Sequence, residues 1–438
     1  MQFLIFIEQI INYKFTHKPI KIEKNKLKIL IYFISKIIYH QMETISENNQ
    51  NNQNNQNKTN NDFISNIPKS IIKKQICKLH NKKGTPINLI KERIYHYFFN
   101  CSNIKFNAFD ELSEIVSTTN NFDLLLIPKN HPSRSMSDTY YFDNESVLRT
   151  HTSAHQNELL KKGETSFLVT GDVYRKDEID RFHFPVFHQM EGVHIVENDV
   201  DPDEDLKKIL TELVEFLFPK KVYRFNSDYF PFTNPSYEVE VLLENKWVEI
   251  LGCGVIQQEI LSNNGINKKG WAFGLGLERL AMIFYNIPDI RLFWSENEKF
   301  TSQFKNISCF DNIEFKPYPK LDSETRDIAF WLPKDEIEFE IEIIDPNITN
   351  SKKLKIIWKK ENDFYDIVRN NFDTNIENIE LIDEFYHPKK KQYSRCYRMT
   401  LNPMLDLSNP GDFFKICNNL MIELRDQIID KLQLEVRG

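Results

Sequence analysis

Between Gly171 and Gly192 the chain places Arg175, His183, Gln189 and Glu191 in a span that two β-type runs, Phe167–Tyr174 and Pro185–Val196, would fold into a hairpin. Arg175 leaves the first run as a planar fork of donors suited to a phosphate. Gln189 and Glu191, two apart on the second run, project from one strand face. One hairpin can therefore hold an anion and an ammonium group together, with Phe182-His183-Phe184 in the charged loop between them.

Upstream, Thr150-His151-Thr152-Ser153-Ala154-His155-Gln156 follows a loop that holds His131, Asp138 and Thr139. Read as extended, it puts His151 and Ser153 on one face, and Gln156 opens a helix close by. These are donors and acceptors for a small polar ligand. In Phe230-Pro231-Phe232 a period of two aims both rings the same way, and Pro231 removes a ladder donor and favours a strand end. Such a pair either packs in a core or lines a pocket for an aromatic ligand.

Glu249, in the strand-like run Trp247–Ile256, would be costly inside a sheet unless it is salt-bridged or bound to a metal, for which Mg²⁺ is suited. Further on, Phe273-Gly274-Leu275-Gly276 passes from a strand into a helix over Leu277–Tyr285. Free amides at that helix start, with Arg279 in the first turn, make an anion site. The stretch has neither the Lys-Ser/Thr of a Walker loop nor the third glycine of a Rossmann turn. Arg175 and Arg279 could together hold the two ends of a triphosphate.

The elements that must carry these groups follow from composition and pattern. With 438 residues, 41% hydrophobic and 13% aromatic, the chain can bury a large core over two or three domains. A formal net charge of −7 means that any nucleic-acid partner must be met by local basic patches. Six scattered cysteines suit unpaired thiols in a reducing interior. Residues 1–61 combine short apolar runs, many lysines and an Asn/Gln tract, Asn48–Asn57, which reads as an organelle leader with no membrane span.

Folded sequence is expected from Ile64, with helices over Asn88–Phe99, Asp110–Ser117 and Asp203–Leu217. From Phe122 to Glu278 short β-like runs imply a mostly antiparallel sheet. After a boundary at Ser302–Phe315, a β-α-β-β-α-β order runs to the C-terminus, with a last helix over Asp412–Leu432 and Asp412 as its cap. Lys389, Lys390, Lys391, Arg395 and Arg398, interleaved with Tyr393 and Tyr397, read either as a solvated turn or as an RNA-contacting hairpin.

At these strings a family resemblance becomes specific. The hairpin around Arg175 resembles motif 2, and Gly274–Arg279 motif 3, of class II aminoacyl-tRNA synthetases. Thr150-His151-Thr152-Ser153, Phe187-His188-Gln189-Met190-Glu191-Gly192 and Phe230-Pro231-Phe232-Thr233 resemble the catalytic subunit of phenylalanyl-tRNA synthetases. Tyr318-Pro319 and Arg326–Phe330 resemble their ferredoxin-like anticodon-binding domain, and the fusion is similar to the single-chain mitochondrial type.

The resemblance implies an α+β fold: a class II antiparallel sheet with flanking helices in a catalytic domain at 62–301, a linker at 302–315 and a ferredoxin-like domain at 316–438. It implies activation of L-phenylalanine by ATP, with Mg²⁺ at Glu249, then transfer to the terminal 2′-hydroxyl of tRNA(Phe), by a monomer in the mitochondrial matrix. Arg175 corresponds to a contact with the ATP α-phosphate and Arg279 to one with the γ-phosphate. His151, Ser153, Gln156, Gln189 and Glu191 correspond to positions that orient the amino-acid head group and adenylate, and Phe230 and Phe232 to the phenyl pocket. His183 falls near the nucleotide and Phe273 beside the substrate. The matching strings add Ala154, His155, Phe182, Phe184 and Met190 to the substrate-binding set. On this modular reading, removing residues 316–438 spares pyrophosphate exchange.

Overall fold

The computed structural model describes residues 65–318, 323–343, 352–402 and 410–437. The leader reading of residues 1–61, the start at Ile64 and Pro319 lie outside them.

Along the chain come α1 (Pro86–His96), β1 (Asn107–Phe109), the short antiparallel pair β2 (Ile115–Ser117) and β3 (Ser146–Leu148), and α2 (Gln156–Lys161). The hairpin β4 (Ser166–Tyr174) and β5 (Val186–Ile195) follows, then α3 (Pro202–Leu217), β6 (Tyr223–Asp228), β7 (Thr233–Leu243), β8 (Lys246–Ile256), β9 (Gly270–Gly276) and α4 (Leu277–Tyr285). The helix expected over Asp110–Ser117 does not form. β-branched Ile115 and Val116 instead pair with Leu148 and Val147.

Seven strands make one sheet in the order β1-β4-β5-β9-β8-β7-β6, antiparallel except for β1 beside β4. Alternation splits its side chains between two cores. Leu168, Met190 and Leu275 join α1, α3 and α4 on one face, while Phe167, Val169, Val193 and Ile195 pack with Leu159 and Leu160 of α2 on the other. The amphipathic α3 is capped by the Asp201 side chain, which accepts from the amides of Asp203 and Glu204. In the 302–315 segment Phe304 and Phe315 are buried in the first core, beside Tyr285 and Phe300. This stretch is therefore packed chain.

A second sheet follows, built from β10 (Glu324–Trp331), β13 (Ile376–His387), β14 (Gln392–Leu401) and β15 (Glu435–Val436), in the order β13-β14-β10-β15 with all pairs antiparallel. With α5 (Glu361–Phe372) and α6 (Pro410–Leu432), this is the order of a split β-α-β-β-α-β unit. A hairpin of β11 (Ile337–Ile343) and β12 (Lys352–Trp358) is inserted before α5 and was not evident from the sequence pattern. The last helix opens at Pro410, so Asp412 falls inside its first turn and not at the position before it.

The basic hairpin reading needs correction. Arg395 is buried and bonds Glu384, Glu361 and the Ile356 carbonyl, Tyr397 is fully buried and donates to Glu361, and Arg398 is held by both oxygens of Asp327. Acids from other elements claim these groups. The aromatic and basic cluster that does form gathers Lys390 at 4.5 Å and Arg437 at 5.3 Å over Trp331, with His387 edge-on to the same ring.

Candidate active site

On β5, Gln189 and Glu191 point away from the first core while His188 and Met190 point into it, as the period of two requires. In register beside Glu191 stand Gly274 of β9, Gly252 of β8 and Glu238 of β7. A Cβ at Gly274 or Gly276 would meet nothing within 4 Å, so the floor beside Gln189 and Glu191 is open and flat.

Above it lies a cavity of about 600 Å³ lined by His151, Ser153, Arg175, Gln189, Glu191, Phe230, Phe232, Glu249 and Phe273, with Thr150, Thr152, Asp138 and Tyr229 among others. Glu249 reaches this face through a β-bulge: Val239 opposes Leu251 but Glu240 opposes Glu249, which breaks the alternation along β8.

Two of the polar groups here, Glu191 and His151, lack internal partners. Glu191 is buried, neither of its carboxylate oxygens has a hydrogen-bond partner among the described residues, and burial pushes its pKa up to about 8 against a smaller opposing pull from the Ser153 and Thr152 hydroxyls. Both ring nitrogens of His151 are likewise buried and unpartnered. Burial first, then the positive charge of Arg175, lowers its pKa to about 3, so the imidazole is neutral. Buried polar atoms without partners mark where a polar ligand belongs.

Arg175 donates from Nε to the Thr150 carbonyl at 2.8 Å and lies over the Phe187 ring. Burial lowers its pKa, while Asp177 and Glu249 pull the other way. Phe230 and Phe232 stack, centroids 5.9 Å apart and planes 9° from parallel. They sit in the turn that precedes β7 and not in a strand, so the turn, closed by Thr233 N–H to the Phe230 carbonyl, aligns the rings. A Cβ at Gly252 would come within 3.0 Å of the Phe230 ring, so the glycine makes room for it.

Glu249 is half-exposed and accepts from Arg279 Nη1 at 2.8 Å, which answers the burial argument for a metal with an ion pair. Arg279 itself is exposed and reaches the cavity rim through that carboxylate. Glu238 is a residue the sequence did not flag. Its pKa is raised by burial first, then by Glu249, Asp228 and Glu240, so acids gather here that a hard divalent cation would suit.

Several expected residues lie elsewhere. The segment Thr152–His155 is a 3₁₀ turn and not extended, which sends Ala154 into an apolar cluster with Val116 and Phe122. His155 accepts from Arg149 Nη1 at 3.0 Å and faces Glu158, and Gln156 is buried outside the cavity with Nε2 unpartnered. Met190 faces the opposite core, and Phe184 stacks on Trp294. The Phe273 ring also turns to the core face, stacked on Phe98 at 5.4 Å and covering Gly192. Phe182 is exposed in the β4–β5 loop. Next to it His183 pairs with Asp180 at 2.8 Å, a bond that raises its pKa. Glu178, Asp180 and His183 also cluster closely enough to hold a metal ion, away from Glu249.

Beneath the site, buried Glu278 accepts from both the amide and Nδ1 of His188, at 2.8 and 2.7 Å. It thereby ties the first turn of α4, which carries Arg279, to the strand of Gln189. No local pattern announced this pair, because its members are 90 residues apart.

An antiparallel sheet carrying an arginine-bearing hairpin and a strand–helix arginine across one cavity is the arrangement of a class II tRNA synthetase, and residues 70–304 match the family of class II tRNA synthetase core domains (F), to which the chain belongs. Within it the chain is a member of the phenylalanine–tRNA ligase family. It is 43% identical over 387 residues to the chloroplastic/mitochondrial phenylalanine–tRNA ligase of Arabidopsis thaliana, covering 86% of this chain and 83% of that protein. It is 41% identical to the mitochondrial enzyme of Mus musculus, over 78% of this chain and 80% of that one. With the mitochondrial enzyme of Saccharomyces cerevisiae the identity is 35%, over 78% and 86%.

Proposed function

We propose that this chain is an ATP-dependent phenylalanine–tRNA ligase acting in mitochondria, with its catalytic unit over 62–301, packed connecting chain over 302–315 and a tRNA-binding unit over 316–438. The observation that carries the reading is Glu191: a buried, unpartnered carboxyl beside Arg175 and opposite a stacked pair of phenylalanines. An amino acid with an ammonium group, a carboxylate and a phenyl ring answers all three.

In this reading Glu191 and Gln189 hold the ammonium, while His151 and Ser153 orient the head group. Phe230 and Phe232 receive the ring, and the open glycine floor accepts the nucleotide. The substrate carboxylate attacks the α-phosphorus of ATP in line and pyrophosphate leaves. Arg175 stabilises charge on the α-phosphate through its terminal nitrogens, which have no hydrogen-bond partner among the described residues. Arg279 exchanges its pairing with Glu249 for the γ-phosphate, and Glu249 and Glu238 are the residues that would then hold Mg²⁺. When bound, the ion neutralises phosphate charge. The protein groups position and neutralise, so no covalent nucleophile is called for. The second step esterifies the terminal 2′-hydroxyl of tRNA(Phe), and the exposed turn of Lys389, Lys390 and Lys391 offers phosphate contact to that RNA. The protein acts as a monomer in the matrix.

The test is pyrophosphate exchange with each amino acid, followed by charging of mitochondrial tRNA. Exchange should depend on phenylalanine and fall by roughly 10²–10³ in Arg175→Ala. Exchange supported equally by unrelated amino acids would refute the assignment.

A further inference from the structure

The loop that follows Arg175 is held by the second sheet. Lys176 is buried with its ammonium 2.9 Å from Asp363 of α5. The carbonyls of Asp177 and Glu178 both accept from Arg369 Nη2, also on α5, at 2.9 and 2.8 Å. Ile179 is buried in the apolar cluster of Ile328, Phe364 and Val368, and its carbonyl accepts from the Ile379 amide at 3.0 Å. Four successive residues are thus tied to the C-terminal unit, and the first of them adjoins the arginine at the cavity.

We propose that α5, through Arg369, positions the Arg175 loop for amino-acid activation, so that the tRNA-binding unit contributes to a step that uses no tRNA. The inference rests on the phenylalanine-activation reading above. Its physical basis is the cost of ordering. Within the catalytic unit the stretch is held only at its start, where the Arg175 amide donates to the Pro185 carbonyl at 3.0 Å and the Lys176 amide to the Asp138 carbonyl at 2.9 Å. Asp177, Glu178 and Ile179 are tied by α5 and the second core, and without those ties they sample many conformations. If the freed loop held the competent geometry about a tenth of the time, apparent ATP affinity would fall about tenfold, because the bound state must first be selected. On this proposal, removing residues 316–438 would impair pyrophosphate exchange, contrary to the modular expectation.

Full-length Arg369→Ala and Ile179→Ala provide the test, read by pyrophosphate exchange with phenylalanine. KM for ATP should rise about tenfold, KM for phenylalanine should change by less than about twofold, and Arg369→Lys, which keeps one donating nitrogen for the two carbonyls, should recover part of the loss. Binding of tRNA should be retained. An unchanged KM for ATP in variants that fold would overturn the coupling. So would equal rises in both KM values with a lowered unfolding midpoint, since that pattern describes general loosening. If the unaltered protein shows no phenylalanine-dependent exchange, the functional assignment falls and the coupling with it, an outcome distinct from either of the others.

Discussion

At the scale of single residues, Glu191 makes the sharpest demand. Its carboxyl is buried without a partner and its pKa is pushed up to about 8, so the ligand-free protein holds it neutral at physiological pH. The folded value lies above the unfolded one, so this group's contribution to stability is fully present below about pH 4 and is lost as pH rises through about 8. An ammonium substrate needs the carboxylate, so binding phenylalanine below pH 8 should release a proton. Affinity should rise up to about tenfold per unit between roughly pH 6 and pH 8, then level off. Calorimetry in two buffers of different ionisation enthalpy measures the proton count directly, and zero release near pH 6.5 would contradict the assignment. Glu191→Gln should bind phenylalanine weakly, release no proton, and lose the decline in fold stability between pH 4 and 8.

Among elements, the β5–β9 ladder separates packing from function in two glycines, Gly192 on β5 and Gly274 on β9. At Gly274 a side chain meets nothing within 4 Å, whereas a Cβ at Gly192, across the ladder, would lie 2.1 Å from the Phe273 ring, which Phe98 backs. Gly274→Val should therefore leave the unfolding free energy within about 0.5 kcal/mol and cut pyrophosphate exchange by about 10² or more, because it fills the floor. Gly192→Ala should cost about 1–3 kcal/mol from overpacking. Urea titrations beside exchange assays check both, and normal exchange in Gly274→Val would show that the floor is not used.

The sequence announced what is local: the β4–β5 hairpin, the facing of Gln189 and Glu191, and the turn from β9 into α4 are all written in alternation and glycine placement. It did not announce the bulge that turns Glu249, the 3₁₀ turn that withdraws Ala154, or the acids that claim Arg395 and Tyr397, because each depends on how the segment meets a partner and not on its own alternation. A charge next to an aromatic reads the same whether it faces RNA or a buried glutamate.

For the whole molecule, Ile179 puts a residue of the catalytic hairpin inside the core of the second sheet, and buried polar pairs reinforce the junction. Tyr140 donates to Asp366 at 2.6 Å, Asn362 to Asp138 at 2.8 Å, and Arg291 to the Thr374 carbonyl at 3.1 Å. Burial raises the pKa of Asp366, with Lys176 and Tyr140 opposing, and separating the two units would break that buried pairing and expose the apolar side chain of Ile179. Loss of one unit thus removes partners from the other, and the two should unfold together. Scanning calorimetry of the full chain should give one transition across residues 65–437, with calorimetric and van't Hoff enthalpies in agreement. Ile179→Asp puts a charge where the second core needs an apolar side chain, and should split that transition in two, the C-terminal unit melting first. ATP with phenylalanine should then raise only the later transition, whereas in the unaltered protein it raises the single one. Two resolved transitions in the unaltered chain would mean that the junction is too weak to carry the coupling assigned to α5.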